Sequence, residues 1–423
     1  MPRSTLTIVR GMRWLATGLF LSLLAEQIVL FAVPLIIYER SRSLTYSGAA
    51  FALEWLPALA AYPFAGLLAD RIGGGRLYRL ANVSRASFLF VALFATWLCP
   101  YWTVPILMIN GVMLSVLIAP NRMAIQKTIA TTGPVDEMAH RQSMLQNIEL
   151  LCMAMGAGTA AALAQLLGKL PLFAVAAVSF LVAVWCWRNV QFTQTRPRSA
   201  NSVMADLLQG WQLLFANNAV ILLAVINFGI NYVFAVVLSG NPSMIKGTFA
   251  VSDYILGAMG AGAGLLGLIN LVLVPEILKR WSINYLGVGG FVVLGAGLIS
   301  MSLGSVIWIY VTGYFIAMAG VTLFNVFNRS ERVKAIGDEH LGKVSGAFYL
   351  INGFSYPLGG MTVALLGPVY GVQHVLLIIS LILLAIGGAL LAMAINGFVA
   401  QQYRRKLLNQ SLQEENKRIV FNK

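Results

Sequence analysis

Three glutamates, Glu26, Glu54 and Glu149, stand inside apolar stretches and are the strongest candidates for chemistry. An ionisable group in hydrocarbon costs at least about 2.5 kcal/mol, so each needs a reason to be there. Low dielectric favours the neutral form of a carboxyl, which lets one group alternate between charged and neutral as a proton comes and goes. Proton coupling, or capture of a cationic group, is the chemistry such residues could do. Glu26 is the principal candidate, near the middle of its stretch with Gln27 beside it. Glu54 precedes Trp55 and Pro57, while Glu149 follows Gln146 and Asn147. A glutamic acid simply bonded to a neighbouring helix is the alternative for Glu26. For Glu149 the alternative is an ion pair with Arg122 or Arg141 in a gate.

A second group of polar side chains is uncharged. Asn227 and Asn231 are four apart and share a helix face, with Tyr232 adjacent. Asn270, Asn325 and Asn352 add further amides downstream. Hydrogen bonding to a substrate is one reading of them, and bonding between helices is the other. As a set, acids in the first half and amides in the second suit a substrate with a positive or polar end and an uncharged body. Cys99, Cys152 and Cys186 have no paired spacing, and His140, His340 and His374 form no ligand pattern, so neither a metal centre nor a cofactor is expected.

The elements that carry these residues follow from composition. The chain has 423 residues, 59% hydrophobic and only 10% charged, with a mean hydropathy of +0.79. A soluble domain carries about 25% charged residues. A membrane helix needs about 20 apolar residues, and apolar runs of that kind recur twelve times. They are Trp14–Tyr38, Tyr46–Ala69, Leu80–Leu98, Val104–Ala124, Ser143–Leu166, Leu170–Trp187, Asn218–Ser239, Tyr254–Leu278, Ile283–Ser302, Ile307–Val326, Val344–Leu366 and Val372–Ile395. The first run is too long for a signal peptide and no small-residue cleavage site ends it. The sequence therefore predicts an all-α membrane protein of twelve transmembrane helices. They form two bundles of six, 1–189 and 218–397, with a cytoplasmic linker at 190–217 and a tail at 398–423. Within the linker, Val203–Phe215 has helical periodicity and is expected to lie along the membrane surface.

Of the 29 Lys and Arg residues, all but Arg40, Arg42, Lys169 and Lys246 fall on one side of this topology. That side is cytoplasmic by the positive-inside rule, and both termini lie there. The net charge of +14 thus belongs to topology rather than to a nucleic-acid surface. The halves also echo each other. Asn121-Arg122 recurs 207 residues later as Asn328-Arg329, and after a basic loop in each half Asp136-Glu137 recurs 202 residues later as Asp338-Glu339. Repeated halves place a substrate near the bilayer midplane, between them.

The loop after the second run reads Gly66-Leu67-Leu68-Ala69-Asp70-Arg71-Ile72-Gly73, followed by Arg76 and Arg79. It resembles the G-x-L-x-D-R-x-G signature of the major facilitator superfamily. The stretches Glu26 through Pro57 and from Ala119-Pro120-Asn121-Arg122 onward resemble the drug and siderophore exporter branch, which includes the enterobactin exporter. Two departures stand out. Gly74 and Gly75 occupy the place of the family's basic pair. The span-five antiport signature, Gly-Pro-x-x-Gly-Gly, is replaced by Met155-Gly156-Ala157-Gly158, with a partial match at Pro357-Leu358-Gly359-Gly360.

The resemblance implies a cytoplasmic gate at Asp70 and Arg71, and Arg76 and Arg122 extend it. It also implies a bacterial inner membrane and a monomer. Substrate contacts are expected from Gln27, Gln146, Asn147, Asn227, Asn231, Tyr232, Asn270 and Asn352. No Walker loop follows a strand, which excludes ATP-driven pumping by this chain alone. The expected function is secondary active transport, not enzymatic: proton-coupled export of a small organic molecule, a siderophore-like metabolite or an amphiphilic drug, by alternating access. Metabolite uptake by symport and lysophospholipid flipping are the transport alternatives, and a non-transporting membrane receptor is the alternative of another class.

Overall fold

The computed structural model describes residues 3–131, 138–188, 190, 203–336 and 341–397. The first six helices are α1 (Arg3–Ser41), α2 (Leu44–Ile72), α3 (Gly74–Leu98), α4 (Thr103–Thr131), α5 (Met138–Leu167) and α6 (Pro171–Arg188). A short helix, α7 (Val203–Phe215), precedes α8 (Asn218–Ser243), α9 (Asp253–Leu278), α10 (Ile283–Leu303) and α11 (Ile307–Ala335). The last are α12 (Leu341–Gly353), α13 (Ser355–Tyr370) and α14 (Val372–Ile382), which runs through a π-turn and stays helical to Gly397. Helices are the form to expect, because hydrocarbon offers no water to satisfy open backbone groups.

Nine helical stretches among the described residues are long and apolar enough to cross a membrane, and the bent α9 makes a tenth. The two other expected spans correspond to α2 and to the α12–α13 pair. Both carry small and polar residues on the faces where they meet.

The second of these spans is broken, where the sequence predicts one continuous run. Pro357 has no N–H for the carbonyl of Gly353, and the hydroxyl of Ser355 bonds the carbonyl of Asn352 at 2.6 Å. The 43° bend of α9 has a related cause, since it falls between Asn270 and Val272, one turn before Pro275. Gly73, the last residue of the octapeptide, has φ +86°, and this left-handed turn separates α2 from α3.

The apolar cores segregate along the chain. One cluster runs from Ala219 to Ala394 and includes Phe291, Tyr310, Phe324 and Phe327. Two others draw on α1–α6, with Trp187, Phe173 and Phe180 among their largest fully buried side chains. The linker helix α7 packs Trp211, Leu213 and Leu214 against Val344, Ala347 and Phe348 of α12.

The two sets of helices meet along two antiparallel pairs. On α5, Ala154, Ala157 and Ala161 lie against Gly264, Gly260 and Gly257 of α9, and a Cβ at Gly264 would sit 2.1 Å from Ala154 Cα. On α2, Gly48 and Ala52 lie against Gly360 and Ala364 of α13, and Thr45 Oγ1 bonds the Ala364 carbonyl at 3.1 Å. Small residues let the helix backbones approach this closely. Both contacts lie toward the end that carries the α1–α2, α5–α6 and α8–α9 loops.

Candidate functional site

The sequence names no charged partner for Glu26, and the structure gives it two. Arg85 of α3 donates from Nη2 to Glu26 Oε2 at 2.8 Å, and Arg122 of α4 donates from Nη2 to Oε1 at 3.0 Å. The second Arg122 nitrogen, Nη1, reaches Glu149 Oε1 of α5 at 2.6 Å. Four helices are thereby tied by two cations and two anions whose charges cancel. Arg85 also lies 4.6 Å above the Phe180 ring of α6.

The network is graded in depth. Glu26 and Arg85 are buried, whereas the Arg122 and Glu149 side chains are 31% and 34% exposed. Arg122 shares a face of α4 with Gly111, Ser115 and Ile118, at helical spacing, while Ile109, Met113 and Val116 form the exposed face. The exposed edge of the ion pairs thus belongs to the interior side of the bundle. A layer of neutral bonds adjoins it: Ser22 Oγ donates to Asn82 Oδ1 at 2.8 Å, and Asn82 Nδ2 to Asn121 Oδ1 at 3.0 Å.

Arg122 is expected in the cytoplasmic gate, with Glu149 as one possible partner there. In the structure α4 continues through Thr131, which puts Arg122 more than two turns inside the helix. Arg85, grouped with the cytoplasmic residues by the charge rule, likewise lies within α3. Its signal in the sequence is Asn82-x-x-Arg85, a polar face within an apolar run. Arg71 and Arg76 are exposed and make no ion pair among the described residues, and the Asp70 side chain lies outside them.

Glu54 is buried on α2, and its Oε2 has no partner among the described residues. It lines a cavity of about 30 Å³ whose walls also include Glu26, Arg85 and Phe180. Next to it, the Trp55 ring stacks on Tyr356 of α13 with centroids 4.2 Å apart.

The second-half amides bind one another. Asn227 Nδ2 donates to Asn352 Oδ1 at 2.7 Å, Asn231 Nδ2 reaches the same oxygen at 3.4 Å, and Asn328 Nδ2 donates to Asn227 Oδ1 at 2.9 Å. Tyr232 bonds Thr362 at 2.7 Å, and Asn270 bonds Thr322. Much of their hydrogen-bonding capacity is therefore used between helices. Asn328 joins this cluster, and its repeat partner Asn121 joins the neutral layer of the first half. Of the remaining candidates, Gln27 packs on Gly156 and Gln146 is half-buried. Asn147 is exposed on the α5 face that packs on α9 further along.

A second charged group, absent from the sequence reading, joins the two sets of helices. Lys169, between α5 and α6, pairs with Glu39 of α1 and with Asp253 of α9. Lys246, after α8, lies 2.8 Å from Asp253 and 3.6 Å from Glu39.

The fold has solved counterparts. A mutant of the nucleoside transporter NupG superposes with a TM-score of 0.75 at 14% identity, over 90% of this chain and 99% of that one. A bacterial homologue of the human lysosomal transporter Spinster, inward-facing and unoccupied, gives 0.73 at 13% identity, over 93% and 98%. At such identities the likeness is one of fold alone. No curated protein matches the chain in sequence. The family model described as Major Facilitator Superfamily matches residues 15–360. With most of its length matched to that model and its helices in the corresponding fold, the chain belongs to the major facilitator superfamily of membrane transporters.

Proposed function

We propose that the protein exports a small organic molecule, a siderophore-like metabolite or an amphiphilic drug, in exchange for protons. The observation that carries this reading is the buried charge network in which Arg122 bridges Glu26 and Glu149, with Arg85 behind them. Protonating either carboxylate would release a guanidinium donor, and a substrate group could then take its place. Equal numbers of cations and anions suit an anionic or zwitterionic substrate better than three lone acids would, which accommodates a siderophore. The outward direction is supported by the resemblance to the exporter branch. In the orientation set by the charge count, Lys169, Lys246, Glu39 and Asp253 close the extracellular end. The cycle then alternates between inward-facing and outward-facing states, in a bacterial inner membrane with both termini cytoplasmic.

The test uses purified protein in liposomes with a pH-sensitive dye inside. A proton gradient is imposed, and lipophilic cations, siderophores, lysolipids and nucleosides are added in turn. Substrate-dependent proton movement that is lost in Glu26→Gln is the expected result. Unchanged transport in Glu26→Gln and Glu149→Gln would overturn the coupling assignment, and labelled substrate crossing without protons would make the protein a uniporter or flippase.

A further inference from the structure

The small cavity between α1, α2, α3 and α4 has the chemistry of a water site. Its volume is about 30 Å³, and roughly 10–15 Å³ is enough to hold one water where two to four polar partners are in reach. Three buried atoms of its lining residues have no partner among the described residues: Oε2 of Glu54, and Nε and Nη1 of Arg85. Glu26 lines the same space. Leu114, Ile118 and Phe180 complete an apolar wall that would keep such water from exchanging freely.

Glu54 and Glu26 differ in what surrounds them. Glu26 has two guanidinium partners. No cation pairs with Glu54 among the described residues. The titratable groups sharing its cavity are Glu26 from α1 and Arg85 from α3; α4 presents Gly111, Leu114, Ser115 and Ile118, and α6 presents Phe180. Tyr356 of α13 stacks on the neighbouring Trp55. A buried charge without a partner costs several kcal/mol, so the setting of Glu54 holds a neutral acid.

We propose that Glu54 carries the transported proton and that water in this cavity relays it to Glu26. The proposal rests on the proton-coupled reading above. In the step, the O–H bond of Glu54 breaks and its proton passes to the water, which gives one of its own protons to Glu26 Oε2. Glu54 becomes a carboxylate and Glu26 a neutral acid. Arg85 keeps its charge and turns its unused donors to Glu54, so the total buried charge is unchanged. Arg122 then keeps only Glu149 as an anionic partner.

The experiment is infrared spectroscopy of the full-length protein in liposomes, reading the C=O stretch of protonated carboxyls in H2O and D2O. The expected result is a band at neutral pH that is lost in Glu54→Gln, is kept in Glu149→Gln, and shifts in D2O. Filling the cavity by Gly111→Val, or separately by Ile118→Phe, should keep the band and slow its shift. A Cβ at Gly111 would lie 3.7 Å from Glu54 Cγ, an ordinary contact. A band that is absent in the unmodified protein, or that survives Glu54→Gln, overturns the proposal. An unslowed shift in both filled variants overturns the water relay. Proton-driven flux that persists without the Glu54 band overturns the relay alone, whereas absent flux in the unmodified protein overturns the export reading and the transport role of the relay with it.

Discussion

Arg85 Nη2 lies 2.8 Å from Glu26 Oε2, joining α3 to α1 through an ion pair in which both side chains are less than a tenth exposed. Removing one partner of a buried pair strands the other charge. Glu26→Gln is therefore expected to lower stability by about 3–5 kcal/mol. Adding Arg85→Gln should recover part of that loss without restoring proton coupling. Thermal unfolding in detergent beside liposome flux separates the two effects, and a double variant no more stable than the single one would contradict this account.

The charges around Lys169 form a latch between the two sets of helices. Lys169→Glu should weaken it, whereas Lys169→Arg, which keeps a cation between Glu39 and Asp253, should leave it closed. Partly exposed pairs contribute about 1 kcal/mol at most each, enough to shift a two-state population several-fold. Spin labels at Tyr46 on α2 and Val369 on α13, both exposed, read the separation in a background with Cys99 replaced. A longer distance in Lys169→Glu and a normal one in Lys169→Arg is the expected outcome.

Close approach of α2 and α13 depends on Gly48, where a Cβ would stand 2.5 Å from the Gly360 carbonyl oxygen. Gly48→Val should hold that end apart. The same label pair should report a longer distance and transport should fall, with the protein still inserted in the membrane.

The amide cluster predicts a mild effect. Asn352 accepts from Asn227 and Asn231, and interhelical bonds of this kind contribute about 0.6 kcal/mol on average, up to about 1.7. Asn352→Ala should lower the unfolding temperature slightly and leave the substrate concentration for half-maximal flux unchanged. A large change in that concentration with normal stability would return Asn352 to the substrate site.

Much of this protein is legible in its sequence. Apolar runs of membrane length predict the helices, Gly73 closes the octapeptide where a left-handed turn falls, and the rarity of acids in hydrocarbon picks out Glu26, Glu54 and Glu149. These features are local, because hydropathy and helical periodicity depend on neighbours in the chain. Partnership is not local. Arg85 lies 59 residues from Glu26, and Lys169 lies 130 from Glu39. A charge count along the chain is blind to depth, so Arg85 and Arg122 read as cytoplasmic residues. Only packing decided which helix faces meet, and with it that Glu26 has two cations, that Glu54 has none among the described residues, and that the amides bind each other.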